Sequence, residues 1–375
     1  MQTTLSETLR SLQITLEQAQ RVISAHRRTT SPVSAVEEFK HKGYSAFTPI
    51  KTFVIILADG AQYTLKISPP AMANMAPVYA PNTLNAEHAF LQLLVSRTNV
   101  PVPIPYALDT TLSLLPYPYL LLSRPRGLPL SHLRVSGTLT PPQSLKLDLR
   151  AGAYLRELHD LENEWFGLPA QEREGIYNWQ EAFTGLIEGL LEEAQARGIP
   201  LPYEDVRKML SRAIGFFLFD DCEVPALVSF AGDEDMIYVD VDAKPDYATE
   251  YADESMDEDM EDVDENSLVK SSPDDELPIT SFLSFSHALW GDPLLEAMFL
   301  DPSAALLEGH GGQLIIFPRH KTKRLWYTFF LALMVLVQAK RQEEVGLLWV
   351  NEDKAEWARR TLDQCVRDLK DAPCY

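Results

Sequence analysis

Cysteine is scarce in this chain. Only Cys222, Cys365 and Cys374 occur in 375 residues, an odd number without metal-ligand spacing. That excludes a disulfide framework and a cysteine-built zinc site, and it fits a reduced, intracellular protein. Basic charge is also in short supply. The chain has 33 Lys and Arg against 54 Asp and Glu, a formal net charge of -21. Phosphate backbones are bound by basic patches, so nucleic acid is not expected as a general partner. The same balance disfavours an anionic membrane surface. Long hydrophobic runs are missing too. The longest, Leu325 to Val337, has thirteen residues, too few to span a bilayer, and reads as a buried helix. The first twenty residues lack a basic stretch followed by an apolar one, so no secretory signal is expected and the location is read as cytoplasmic. No serine nucleophile elbow, cysteine nucleophile signature or dinucleotide-binding glycine fingerprint appears. Gly309-His310-Gly311-Gly312 holds a single histidine and reads as a glycine-rich loop, not a metal site.

What is present is ample material for a core: 46% of residues are hydrophobic and 10% aromatic. Leu5, Leu9, Leu12, Leu16, Val22 and Ile23 recur at roughly helical intervals and predict an amphipathic helix within 3–29. Residues 44–68 are rich in β-branched and apolar types around Asp59-Gly60, a hairpin signal. Residues 69–81 read as loop, 84–97 as helix, and the alternating prolines of 100–105 as an extended connector. Tyr119 to Ser123 reads as a buried strand. From 143 onward the spacing predicts helices over 143–162, 178–197 and 203–219, then strands over 225–229, 236–241 and 279–285.

Between the last two strands lies an acidic stretch. Residues 241–276 hold fifteen acidic residues against two lysines. Such charge with few large apolar groups predicts an insert, about 241–278, that stays disordered, with a basic partner as its natural ligand.

Residues 225–240, PALVSFAGDEDMIYVD, carry the argument about chemistry. They resemble the catalytic segment of the aminoglycoside-phosphotransferase-like small-molecule kinases. There, His-Gly-Asp is followed by four variable residues, an Asn and an apolar strand ending in Asp. Other segments match in order: Lys66 in a strand, Glu87 opening a helix, Tyr119 to Leu130 with its Gly127-Leu128-Pro129-Leu130 turn, Leu155-Arg156-Glu157-Leu158-His159 followed by Trp165-Phe166-Gly167, and the corner Trp290-Gly291-Asp292-Pro293. The Leu-His and Trp-Phe-Gly features are similar to those of fungal members. The resemblance covers roughly residues 40 to 340.

The resemblance implies an α+β, two-lobed, protein-kinase-like fold, with a small antiparallel β lobe and a larger, mostly helical lobe. It divides the chain into a helical lead-in (1–35), an N-lobe (36–123) and a C-lobe (124–375) carrying the insert. It implies that Lys66 holds nucleotide phosphates and that Glu87 holds Lys66, with a structural ion pair as the alternative. Gly43 and Ser45 stand at the family's phosphate-covering turn, an ordinary turn being the alternative. His159 is implied to be structural.

The departures are as informative as the matches. Laid on the family pattern without a gap, Ser229 replaces His, Phe230 replaces Gly, Ala231 replaces the catalytic Asp and Met236 replaces the magnesium-binding Asn. A two-residue deletion would instead bring Ala231-Gly232-Asp233 onto His-Gly-Asp, still with Met236 in place of Asn. Counting back from Gly291-Asp292-Pro293, the second metal ligand has become Ser284. The expectation is a pseudoenzyme that binds an unidentified small molecule or protein partner without phosphoryl transfer and has no magnesium site. Any ATP binding should be weak and nearly independent of magnesium. The alternative is an ATP-dependent phosphotransferase on a small hydroxylated molecule that uses displaced acids, Asp233 first among them. A third possibility, a cleft adapted to another reaction, has no residue set to recommend it.

Overall fold

The computed structural model describes residues 12–40, 42–44, 50–69, 81–243, 277–344 and 352–374. Five antiparallel strands form one sheet in the order β1-β2-β3-β5-β4: β1 (Val33–Phe39), β2 (Lys51–Leu57), β3 (Gln62–Ile67), β4 (Pro105–Asp109) and β5 (Tyr119–Ser123). Asp59-Gly60 turns β2 into β3 as expected, with Gly60 at φ 87°.

Side chains of a strand alternate between its faces. Phe53, Ile55, Leu57, Tyr63, Leu65, Ile67, Tyr119 and Leu121 therefore share one face, and it is covered by Ala19, Val22 and Ile23 of the helix Leu16–His26. That helix starts later than the periodicity suggested. Thr15 and Gln18 form a reciprocal capping box that fixes its first turn, while Leu12 and Ile14 precede it as buried, non-helical residues. The predicted span before residue 12 lies outside the described residues. The other face of the sheet presents Leu120 and Leu122 to Leu84, Phe90, Leu91 and Leu94 of the helix Leu84–Arg97. Thr64 and Lys66 point the same way, and this parity is what aims Lys66 at the helix that carries Glu87.

The chain leaves the sheet at Ser123 and enters a small three-stranded sheet of β6 (Leu128–Pro129), β8 (Tyr238–Val239) and β9 (Ile279–Ser281), with β7 (Ala226–Val228) pairing β10 (Leu289–Gly291) beside it. The three predicted strands of this region are shorter than expected, for local reasons. The Asp233 side chain accepts from Asp235 N–H and caps a single 3-10 turn, Glu234–Met236, which delays β8. After Ser281 the backbone turns through Leu283 at φ 59°, which ends β9 before Ser284. Of the expected insert, about 241–278, residues 244–276 lie outside the described residues, but the strands on either side meet: β8 and β9 are antiparallel neighbours, and Asp240 N–H donates to the Pro278 carbonyl at 3.1 Å.

The rest is helical: Leu130–Val135, Pro141–His159, Trp179–Ala196, Tyr203–Gly215, Ala304–His310, Pro318–Glu344 and Glu352–Asp371. Pro318–Glu344 contains the predicted apolar run and is buried along Trp326 to Val337 among Trp179, Phe183 and Phe219. Among the described residues no helix is long and apolar enough to cross a membrane. The Gly309-His310 part of the expected loop is instead the end of Ala304–His310. Gly309 and Gly152 lie at a helix crossing so close that a side chain on either would collide with the facing backbone, at Leu149 and Leu306 respectively. The crossing, not a loop, explains that glycine.

Candidate functional site in the inter-lobe cleft

Lys66 and Glu87 meet. The Lys66 ammonium donates to Glu87 Oε1, with the residues 8% and 3% exposed, so both charges are almost out of water. Among the described residues Glu87 Oε2 has no hydrogen-bond partner. The pair forms one wall of a pocket enclosing about 530 Å³, the open solvent at its mouth included. Arg124 of the inter-lobe connection, Met236, Tyr238, Leu283 and Ser284 complete it from the large-lobe side. Gly43 does not line this pocket, and Ser45 lies outside the described residues.

The loop after β7 is held by hydrogen bonds of its own. Ser229 N–H donates to Glu296 Oε1 at 2.7 Å, and Ser229 Oγ donates to the Ser284 carbonyl at 2.7 Å. Ala231, in the position of the family's base on the ungapped reading, is completely buried. The Ser284 hydroxyl lies 3.2 Å from that of Ser286. Asn82, just ahead of the Glu87 helix, braces this second loop: its amide donates to the carbonyls of Phe285 and Ala288, each at 2.8 Å. The two positions implied to hold magnesium thus present a thioether and a hydroxyl, poor ligands for a hard cation. Among the described residues no group of three His, Cys, Asp or Glu converges on a point. The residues present do not fit the magnesium site that the resemblance implies.

Asp233, the candidate substitute base, does not line this pocket, and both of its carboxylate oxygens have partners. Its Oδ2 accepts from Tyr44 N–H at 3.3 Å and pairs with Lys354 Nζ at 3.1 Å, while Oδ1 accepts from Asp235 N–H at 3.2 Å. Gly43, at φ 75°, lies so close that any side chain there would collide with the carboxylate. Lys354 also sits 3.9 Å from the centre of the Tyr44 ring, and Trp357 covers that ring at 4.8 Å between centroids. Burial alone would lower the Lys354 ammonium, but the Asp233 carboxylate beside it holds it above the ordinary lysine range. Burial pushes the Tyr44 hydroxyl up.

Other acids and histidines of the motifs have partners within the fold. His159 Nδ1 is 2.8 Å from His310 Nε2, and His159 Nε2 is 3.6 Å from the buried Glu296. Burial, then the neighbouring His159, depress His310 to about 4. Asp292 of the Gly-Asp-Pro corner pairs with Lys323 at 2.7 Å and accepts from the Tyr327 hydroxyl at 2.8 Å. Burial would raise its carboxyl, but Lys323 and three donated hydrogen bonds outweigh that and hold it below the usual range. Asp240 faces Arg126 at 3.7 Å.

Sequence reasoning missed Tyr44, Asn82, Lys354 and Trp357. Asn82 sits five residues before Glu87 and could have been suspected from that alone. Tyr44 lies between Gly43 and Ser45 of the turn already singled out, but nothing local marks Lys354 or Trp357, because their meeting with it depends on where the last helix docks.

The sequence model of the phosphotransferase enzyme family matches residues 51–217 of the chain. No curated protein matches it. Among solved structures, a putative aminoglycoside phosphotransferase from Ralstonia eutropha JMP134 aligns at a TM-score of 0.58 and 13% identity, covering 96% of this chain and 100% of that one. The GDP complex of aminoglycoside 2'-phosphotransferase-IIIa (F108L mutant) aligns at 0.55 and 14% identity, covering 94% and 98%. A putative fructosamine-3-kinase from Thermobifida fusca YX-ER1 aligns at 0.53 and 16% identity, covering 92% and 100%. At such identities the likeness speaks for the fold. The chain has the two-lobed fold of the aminoglycoside-phosphotransferase-like kinases, and it resembles the phosphotransferase enzyme family in sequence over residues 51–217.

Proposed function

We propose that this protein is a pseudoenzyme of phosphotransferase-like fold, which uses its inter-lobe cleft to bind a small molecule or a protein partner without transferring a phosphoryl group. One observation carries the reading: the cleft keeps its ion pair, Lys66–Glu87, but Met236 and Ser284 line it where a metal-dependent phosphoryl transfer needs oxygen ligands, and Ala231 is buried where it needs a base. Magnesium neutralises charge on the phosphates in that chemistry, and neither side chain here does so. Lys66 offers one ammonium to an anionic ligand, so a nucleotide should bind weakly and with little help from magnesium. The acidic segment 241–278 recommends a basic partner outside the cleft.

A second reading rests on Asp233, a buried carboxylate two positions from Ala231. As a general base it would make the chain an ATP-dependent phosphotransferase on a small hydroxylated molecule. Its acceptors are already taken by Lys354, Tyr44 and Asp235, which favours the first reading. The test is transfer from γ-labelled ATP, with magnesium, to aminoglycosides, choline-like amines and sugars. No labelled acceptor is expected. Product that disappears in folded Asp233→Ala and Asp233→Asn variants would establish the second reading instead.

A further inference from the structure

Three charged side chains line the inter-lobe pocket: Lys66, Glu87 and Arg124. Lys66 and Glu87 pair with each other, so their charges cancel at close range. Arg124 enters no ion pair among the described residues, which leaves the lining with one net positive charge. The neighbours of Arg124 set its place. Ser123 before it donates its N–H to the Ile104 carbonyl at 2.9 Å and accepts from Ile104 N–H at its hydroxyl at 2.8 Å. Pro125 after it confines its backbone to extended conformations. The guanidinium lies over the ring of Phe39 in β1, 4.5 Å from its centre, and 5.7 Å from the centre of the Tyr238 ring in β8. Stacking on aromatic faces orders an arginine side chain and leaves the N–H groups in the plane of its guanidinium able to bind.

We propose that the pocket takes a small monocarboxylic acid with a largely apolar body, its carboxylate held by Arg124. The proposal deepens the ligand-binding reading above and rests on it. Charge selects a monoanion. A nucleoside triphosphate brings several negative charges to a lining that offers one net positive charge and poor magnesium ligands. The shape of the anionic group follows from the cation, because the planar guanidinium fork matches the two oxygens of a carboxylate. The rest of the lining selects the body of the ligand: Leu91, Leu122, Met236, Leu283 and Phe285 present apolar side chains, and the flexible thioether of Met236 adapts to what is bound. Thr64 Oγ1 and Glu87 Oε2, both of residues that line the pocket, are buried without a hydrogen-bond partner among the described residues. Leaving such atoms unmet is costly, and a hydroxyl on the acid satisfies either of them.

The test is isothermal titration of the full-length chain with benzoate, phenylacetate and octanoate, each against the alcohol and the amine of the same skeleton. At least one acid should bind, more than about tenfold more tightly than its alcohol or amine. Arg124→Gln should lose that advantage and leave the affinity for the alcohol unchanged. Arg124→Lys, which keeps the charge without the fork, should fall between the two. The melting temperature of each variant without ligand reports its folding, and the comparison of acid with alcohol in the parent needs no variant. No acid bound at millimolar concentration, an alcohol or amine that binds as tightly as its acid, or an acid whose affinity survives in folded Arg124→Gln would overturn the proposal. Its failure and that of the reading beneath it are separable. If the alcohols or amines bind and the acids do not, the carboxylate preference falls and the ligand-binding reading stands. If the acids bind as expected and the chain also transfers phosphate from ATP, the pseudoenzyme reading falls and the carboxylate preference stands.

Discussion

Lys66 on β3 and Glu87 on the facing helix form an ion pair that is buried on both sides. Both charges are almost out of water. Breaking it from one side leaves a charge without a partner in a poorly solvated place. Lys66→Met is expected to cost about 3 kcal/mol in urea unfolding, and Glu87→Gln a similar amount. The double variant Lys66→Met/Glu87→Leu should cost clearly less than the sum of the two. An additive double variant, or single variants with negligible loss, would mean that the pair is not coupled as the geometry indicates.

The buried histidines give a pH signature away from the cleft. His310, with an ordinary histidine value of 6.5, is depressed to about 4 in the fold, so the native state resists its protonation. The contribution to stability is complete above 6.5, declines as pH falls from 6.5 toward 4, and is gone below that. The melting temperature should therefore drop over this window, and His310→Gln should flatten that part of the profile relative to the parent. Parallel profiles for the two proteins would show that His310 is free to charge in the native state.

Much of this was legible in the sequence, and the reasons are local. The meeting of Lys66 with Glu87 was legible only through the family resemblance; strand parity then explains why the Lys66 side chain faces the helix that carries Glu87. Counting back from the corner Gly291-Asp292-Pro293, the resemblance implies that Ser284 stands at the family's second metal-ligand position. Strand ends were less legible: an Asp233 side-chain cap and a left-handed Leu283 stop β8 and β9 short, and neither leaves a mark in hydrophobic pattern. The Lys354–Asp233–Tyr44 contact was not legible at all. It joins three distant stretches of chain, and the amphipathic pattern of the last helix says which face it buries, not what its first turn meets.

The pairing of β8 with β9 makes a prediction about the acidic segment between them. Val239 pairs with Ile279, and Asp240 N–H closes the ladder on Pro278. A short Asn-Gly turn in place of 244–276 satisfies the same strand ends. The shortened chain should melt within a few degrees of the parent by calorimetry. A loss of cooperative unfolding would show that the segment is part of the fold.

The central claim is that the cleft keeps its lysine and has lost its magnesium site. Thermal shift with ATP, with and without magnesium, addresses this directly. A ligand at about 100 times its dissociation constant stabilises by ~2.7 kcal/mol, so even weak binding is visible at high nucleotide concentration. The account predicts a small ATP-induced shift that is the same in magnesium and in chelator, and that disappears in Lys66→Met. A shift that grows strongly when magnesium is added would contradict it, because the Met236 thioether and the Ser284 hydroxyl are poor ligands for such a cation.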